Sequence, residues 1–447
     1  MVEPGDPIDP TDAADPTKSQ GSGQIVRIWR AVASHPLARI GPGLITGVAD
    51  DDPSGIATYS QAGAQFGLNM LWTMPLCYPL MSSVQLMCAQ IGRVTGKGLA
   101  ANIKIAFPPV VLRVVVVLLL IANTLNISAD VAAMGEAGEL VTGINRHLMT
   151  LFFVALTLGL QIFVAYHRYV AYLKWLTLSL LAYAAVLFTV HVPWGEVALR
   201  TLWPHFALNS TSAAVIVGVF GTTISPYLFF WQASEEVEDM HRNRGRPLIG
   251  HDPDIAHAEL RRIRWDTWSG MFYSDIAAFF VILATAVTLH VKGITDITTA
   301  AQAAAALRPL AGQFAFVVFT LGLIGVGLIG VPVLAGSGAY AAAEALGWKS
   351  GLERGLNREP GFYGVIAVSV LLGLALQYSP ISPMKALFWS AVINGVVAVP
   401  LLAVVCLLIA KPAVMGEYTG SRRLIGVGWL TTALMGVAAA CLLLPSQ

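Results

Sequence analysis

Gly41-Pro42-Gly43-Leu44-Ile45-Thr46-Gly47-Val48-Ala49-Asp50-Asp51-Asp52-Pro53-Ser54-Gly55 interrupts an otherwise apolar segment over residues 43–65. Proline lacks a backbone donor and its ring clashes with the preceding turn, so a helix crossing this segment unwinds near Asp52-Pro53. A second segment has the same construction: Gly218-Val219-Phe220-Gly221-Thr222-Thr223-Ile224-Ser225-Pro226-Tyr227 sets a proline in mid-span beside small polar residues. Unwound backbone at membrane depth is tolerated only where protein buries it or it lines a cavity. Paired interruptions at the starts of two five-helix halves are the pointer to an inverted-repeat transporter with its site at the bilayer midplane.

The rest of the chain fits a membrane setting. Of its 447 residues 56% are hydrophobic and 12% charged, against roughly a quarter charged in soluble domains. A span needs about 20 mostly apolar residues, and candidates lie at 43–65, 70–92, 108–133, 148–166, 172–192, 212–232, 267–290, 311–343, 361–378, 384–409 and 424–444. The expected fold is therefore an all-α membrane protein of about 11 transmembrane helices, with broken helices 1 and 6. Repeat one covers about 39–205, repeat two about 206–410, and an extra helix about 421–445. The long 311–343 stretch is expected to tilt, overrun the bilayer or bend near Pro332.

With the N-terminus inside, every Lys and Arg except Arg146, Arg200, Lys292, Arg308 and Lys385 falls on an inside segment. The positive-inside rule thus assigns a cytoplasmic N-terminus and an outside C-terminus. The net charge of +1 gives no argument for nucleic acid. Residues 1–38 read as a disordered cytosolic tail, Pro-, Asp-, Gly-, Ser- and Thr-rich over its first 24 residues and unlike a signal peptide. Cys77, Cys88, Cys406 and Cys441 lie within or at the ends of spans without metal-type spacing, as packing residues do. The insert 233–266, with Asp252, Asp254, His241, His251 and His257, reads as a solvated linker whose Asp254–Trp265 part has helical character.

An ionisable side chain inside a bilayer is expensive, and a functional site by default. Asp50, Asp51 and Asp52 repel one another, and a cation relieves that repulsion. Asp52 stands at the unwound point; Asp51 borders it. Unwinding frees carbonyls near Ala49 and Thr222, and Thr222, Ser225 and Tyr227 occupy the second break without Cys, His or Met. Carboxylate, carbonyl, hydroxyl and water oxygens suit Mg²⁺, Ca²⁺ or Mn²⁺. No resident cofactor is expected, only a transported divalent cation; the other partner is the lipid bilayer, and no obligate protein partner is inferred.

Gly41-Pro42-Gly43, Asp52-Pro53, Ala57-Thr58, Ala62-Gly63-Ala64-Gln65-Phe66-Gly67, Leu71-Trp72, Val94-Thr95-Gly96-Lys97 and the Gly221–Tyr227 block resemble the Nramp family of divalent metal transporters. The resemblance implies a LeuT-type fold, divalent cation import and, usually, proton coupling. It also implies ligands that this chain lacks. The family's metal-binding Asn of helix 1 is Gly55, its helix-6 methionine is Ser225, and the histidine two residues on is Tyr227. Of the acidic pair implied for helix 3, Asp130 is present and Ala133 replaces the second, with Glu136 a turn beyond. This pattern resembles the Nramp-related magnesium transporters, a branch implied to carry Mg²⁺ and Mn²⁺ without obligatory proton coupling. A roomy, hard site suits Mg²⁺, which keeps much of its water.

Asp130, Gln232 and Asn394 are candidate pathway residues, and Asp275 an intramembrane acid with a possible path role. Glu136 and Glu139 read as solvated residues at the outer end of helix 3. Glycine-rich span 8 lacks the polar patch implied by the resemblance, and Gly96-Lys97-Gly98 lacks the glycine spacing of a P-loop. An amino-acid carrier on the same fold is disfavoured because Asp51 and Asp52 repel a substrate carboxylate. A membrane metal sensor is disfavoured by the short soluble parts, and an enzyme by the absence of a nucleophile–base pair.

Overall fold

The first span is two helices, α1 (Pro42–Asp50) and α2 (Pro53–Phe66), in a computed structural model that describes residues 41–164, 173, 178–205, 209–243, 245–250, 253–352, 356–376 and 381–443. Asp52-Pro53 ends one helix and starts the next. Asp52 takes extended N-cap backbone (φ −68°, ψ 173°), its side chain accepts the Gly55 N–H, and Pro53 occupies the first helical position, where an N–H has no helical partner.

Then come α3 (Thr73–Thr95), α4 (Leu99–Ala106), α5 (Pro109–Thr142) and α6 (Arg146–Phe163). The fifth span is described only in part, including α7 (Leu181–Val186), and is followed by α8 (Trp194–Leu202). The sixth span divides into α9 (Ser210–Thr223) and α10 (Pro226–Arg242) around Ile224-Ser225. The chain continues through α11 (Pro253–Thr288), the short α12 (Ala300–Ala304) and α13 (Arg308–Ala311), then α14 (Ala315–Leu346), α15 (Pro360–Leu376), α16 (Pro383–Ile409), α17 (Pro412–Met415) and α18 (Arg422–Cys441). Among the described residues every element is helical.

Seven described stretches are each long and apolar enough to cross a membrane. The other four expected spans are the divided first, α3, the partly described fifth and the 17-residue α15. Two helices run well beyond the hydropathy reading. The sixth span runs to Arg242 instead of ending at 232, and α11 starts at Pro253 instead of 267. Hydropathy marks where lipid touches a helix, whereas the hydrogen-bond ladder continues into water or protein. Pro332 does not break α14, which runs unbroken from Ala315 to Leu346.

These extensions correct the reading of 233–266 as a solvated linker. Arg262 on α11 pairs with Glu236 (3.2 Å) and Asp239 (3.9 Å) on α10 and with Glu259 (3.1 Å) on its own helix. Arg93 on α3 joins Glu259 at 3.1 Å, so one network ties three helices at this end. His251 and Asp252 lie outside the described residues, as does the expected tail 1–38.

Around the breaks the helices approach closely through glycine. A Cβ on Gly47 would overlap the Gly270 carbonyl of α11, and one on Gly221 the Ala391 carbonyl and Gly395 backbone of α16. The half-helices α1 and α9 are thus clamped against α11 and α16. Overpacking a close contact costs about 1–3 kcal/mol. Gly47→Ala and Gly221→Ala should each lower the melting temperature of the detergent-solubilised protein. Gly426→Ala, with open space around its Cβ, should leave it unchanged.

Candidate metal centre

The site forms where the two breaks meet. Asp52 is 1% exposed, and its carboxylate receives donors from four directions. Ser54 Oγ (2.6 Å) and the Gly55 N–H (2.9 Å) reach Oδ1; Asn126 Nδ2 (3.0 Å) and the Tyr227 hydroxyl (3.1 Å) reach Oδ2. All four are neutral. Among the described residues no Lys, Arg or His forms an ion pair with Asp52.

The geometry follows from local chain chemistry. Ser54 and Gly55 belong to the first turn of α2, so the N-cap carboxylate meets them automatically. Tyr227 is the second residue of α10, which brings its hydroxyl across to Asp52 and, at 3.3 Å, to the Ala49 carbonyl at the end of α1. Ser225 works the other way. Its hydroxyl donates back to the Gly221 and Thr222 carbonyls, both at 2.7 Å, closing the end of α9 rather than capping α10. The Thr222 hydroxyl lies 3.4 Å from Ser54 Oγ, joining the breaks directly. Gly55 faces that hydroxyl: a Cβ there would stand 3.3 Å from it.

Ala49, Asp52, Gly55, Thr222, Ser225 and Tyr227 are therefore gathered at one buried locus, and Asp51 borders it with its side chain directed elsewhere. Asp50 and Asp51 turn toward α11, where Ser274 Oγ donates to Asp50 Oδ2 (2.5 Å) and approaches Asp51 Oδ1 (3.2 Å). Asp50 Oδ1 and Asp51 Oδ2 are buried without a hydrogen-bond partner. Among the described residues no three His, Cys, Asp or Glu side chains converge as a metal cage. An ion here would combine one carboxylate with carbonyl, hydroxyl and water oxygens, a set suited to a hard cation.

Of the pathway candidates Asp130 lies beside the site: it is fully buried on α5, one turn beyond Asn126, and faces the Ser54 backbone N–H and Asp52. Asn394 is buried on α16, one turn beyond Ser390, and both its amide atoms lack partners. Gln232 is likewise buried and unpartnered, but five residues after Tyr227 it faces another side of α10. Asp275, next to Ser274, is buried with Oδ1 unpartnered. Glu136 is not a freely solvated acid: it accepts the Ala300 N–H at 2.8 Å and so fastens α5 to the start of α12.

Sequence reading passed over Asn126 and Ser390 as site residues. Asn126 sits four residues before Asp130, a spacing that puts both on one helix face. Its contact with Ser390 Oγ (2.6 Å) joins elements 264 residues apart and has no local signature.

Beyond α2 and α9 a cavity of about 530 Å³ opens, lined by Gln61, Gln65, Thr211, Asp296, Lys385 and Trp389 among others. Its lining includes Ala57 but stops short of Asp52. Thr58 and Phe388 pack against Gly218 of α9, and Asp52 itself is shut away from solvent.

Hydrogen bonds to charged groups contribute about 1.5–3 kcal/mol. Tyr227→Phe should therefore lower thermal stability in detergent, and most of that loss should vanish in an Asp52→Ala background. A double-mutant cycle with a coupling near zero would mean that the two groups do not interact.

Comparison with known proteins bears on the fold and its lineage. A family model described as natural resistance-associated macrophage protein-like (Nramp) matches residues 43–445. The chain is 26% identical over 417 residues to the divalent metal cation transporter MntH of Klebsiella pneumoniae, covering 91% of this chain and 94% of that protein. It superposes on the Eremococcus coleocola manganese transporter, crystallised with an aromatic bis-isothiourea compound, with a TM-score of 0.71 at 17% identity over 92% of this chain and 86% of that one. MhsT in complex with L-phenylalanine gives a TM-score of 0.61 at 12% identity over 90% and 98%. The fold is of the LeuT type.

Proposed function

Because the chain belongs to the Nramp family, we propose that it imports divalent cations across a bacterial-type inner membrane by alternating access, carrying Mg²⁺ and also accepting Mn²⁺. One observation carries this reading: the Asp52 carboxylate is buried among four neutral donors, with no positive side chain of the described residues paired to it. Burying an unpaired charge is unfavourable, so a cation is its natural complement.

The preference for Mg²⁺ rests on what surrounds that carboxylate. Relatives are transporters of divalent metal and of manganese by their names. In this chain Ser225 stands where the family resemblance implies a thioether, and its oxygen is turned onto its own helix. Gly55 adds no side chain. The ion is thus held by Asp52 with the Ala49 and Thr222 carbonyls, bordered by Tyr227, and completes its shell with retained water, as Mg²⁺ does. Helix ends support the arrangement, since the carbonyl-rich C-termini of α1 and α9 favour a cation.

Transport runs down the electrochemical gradient without obligatory proton movement, the N-terminus lying in the cytoplasm and the C-terminus outside. An inside-negative potential of about 100 mV supplies roughly 4–5 kcal/mol for a divalent ion. The departure at Ala133 supports the uncoupled reading, since it leaves Asp130 without the second acid of the pair.

Uptake into proteoliposomes with an internal pH dye tests this. Mg²⁺ and Mn²⁺ should enter without acidification, and Asp52→Ala should abolish entry. Mn²⁺ entry that excludes Mg²⁺ and carries protons would replace this reading with a conventional coupled transporter. Ser225→Met should raise Mn²⁺ or Cd²⁺ uptake relative to Mg²⁺, because a thioether favours softer ions.

A further inference from the structure

We propose that Asn126 is an ion ligand whose amide turns over when the cation binds, with Ser390 receiving the turned amide. The inference rests on the reading of Asp52 as the ion's anchor.

Asn126 is fully buried and held at both ends. Its Nδ2 donates to Asp52 Oδ2 at 3.0 Å, and its Oδ1 accepts Ser390 Oγ at 2.6 Å. An amide presents donors on one side and an acceptor on the other, and a half-turn about its last torsion exchanges them in nearly the same volume. In the empty site the NH₂ group belongs against the carboxylate. A cation on Asp52 reverses that preference: NH₂ then faces positive charge, and the carbonyl oxygen is the favoured neighbour.

The turn leaves no group unsatisfied. Once turned, Asn126 directs an N–H at Ser390, and a hydroxyl accepts as readily as it donates. The Ser390 proton has another acceptor in place, since its Oγ also lies 2.8 Å from the Leu387 carbonyl. A Val or Ala at 390 would offer neither role.

Other oxygens around Asp52 are less free to turn: the Tyr227 hydroxyl, fixed on its ring, is committed to Asp52 Oδ2 and the Ala49 carbonyl. Ser54 Oγ is committed to Asp52 Oδ1 and the Thr222 hydroxyl, and Ser225 Oγ to two carbonyls of its own span. Gly55, on the first turn of α2, has no side chain to contribute. The neutral side-chain ligand is thus delivered from α5. Ser390 sits on α16, two residues from Phe388, which lines the cavity beside α2 and α9.

Calorimetric titration of Mn²⁺ and Mg²⁺ into the full-length protein in detergent tests this with D52A, N126A, N126D and S390A, each checked for a monodisperse profile and cooperative melting. Asn126→Ala should weaken binding about tenfold, the scale of one lost ligand. Asn126→Asp, which presents oxygen without needing to turn, should stay within about threefold of wild type or bind tighter. Ser390→Ala should fall between, by about threefold. If N126A does not fold, the comparison of N126D with S390A decides. Wild-type affinity in N126A alongside loss in D52A would overturn the ligand role. Equal losses in N126A and N126D would overturn it too, marking the amide as a donor that only steadies Asp52. Wild-type affinity in D52A would remove the metal reading itself, and this inference with it.

Discussion

A carboxylate held in the protein interior by neutral donors alone is the constraint around which this molecule is organised. Asp52 accepts from α2, α5 and α10 at once, and Tyr227 and Ser54 extend those contacts to Ala49 and Thr222. Donors lower the cost of burying the charge without cancelling it. Among the described residues no positive side chain completes that set. That is a reasonable state for a carrier, which must bind its cargo and also release it.

The two helix breaks serve this constraint differently although both are built from a polar residue followed by proline. Asp52 caps forward, spending Oδ1 on the first turn of α2 and leaving Oδ2 to neighbouring helices. Ser225 caps backward, tying its hydroxyl to the end of α9. One break thus supplies the charge and the other supplies ordered backbone. Close glycine contacts at Gly47 and Gly221 hold the half-helices against α11 and α16, so the breaks stay in register. On one side lies the cavity walled by α2, α9 and α16; at the far end of α10, α3 and α11 the ion pairs of Arg93, Glu236, Glu259 and Arg262 bind the helices together.

Much of the fold was legible because its signals are local. Apolar runs mark spans, Asp52-Pro53 and Ser225-Pro226 mark breaks, and the asymmetry of Lys and Arg suggests an orientation. Errors came where hydropathy was asked to define helices. α10 and α11 run well past the apolar segments, through Glu235–Arg242 and through the Asp254–Trp265 stretch whose helical character the sequence already indicates. Glu136, polar and near a helix end, has the sequence signature of a solvated acid but holds the Ala300 N–H.

By itself the sequence determined which residues stand at the breaks: Asp52, Thr222, Ser225 and Tyr227 are set by their distance from a proline along the chain. Tertiary structure alone decided what Asp52 meets. Asn126 and Tyr227 reach it from helices whose side-chain directions depend on packing, across separations of 74 and 175 residues, and Ser390 in turn holds Asn126 across 264. Helical rise and turn fix where a side chain points on its own helix, but not which helix lies opposite. That choice is made by the whole bundle, through contacts as specific as Gly47 on Gly270.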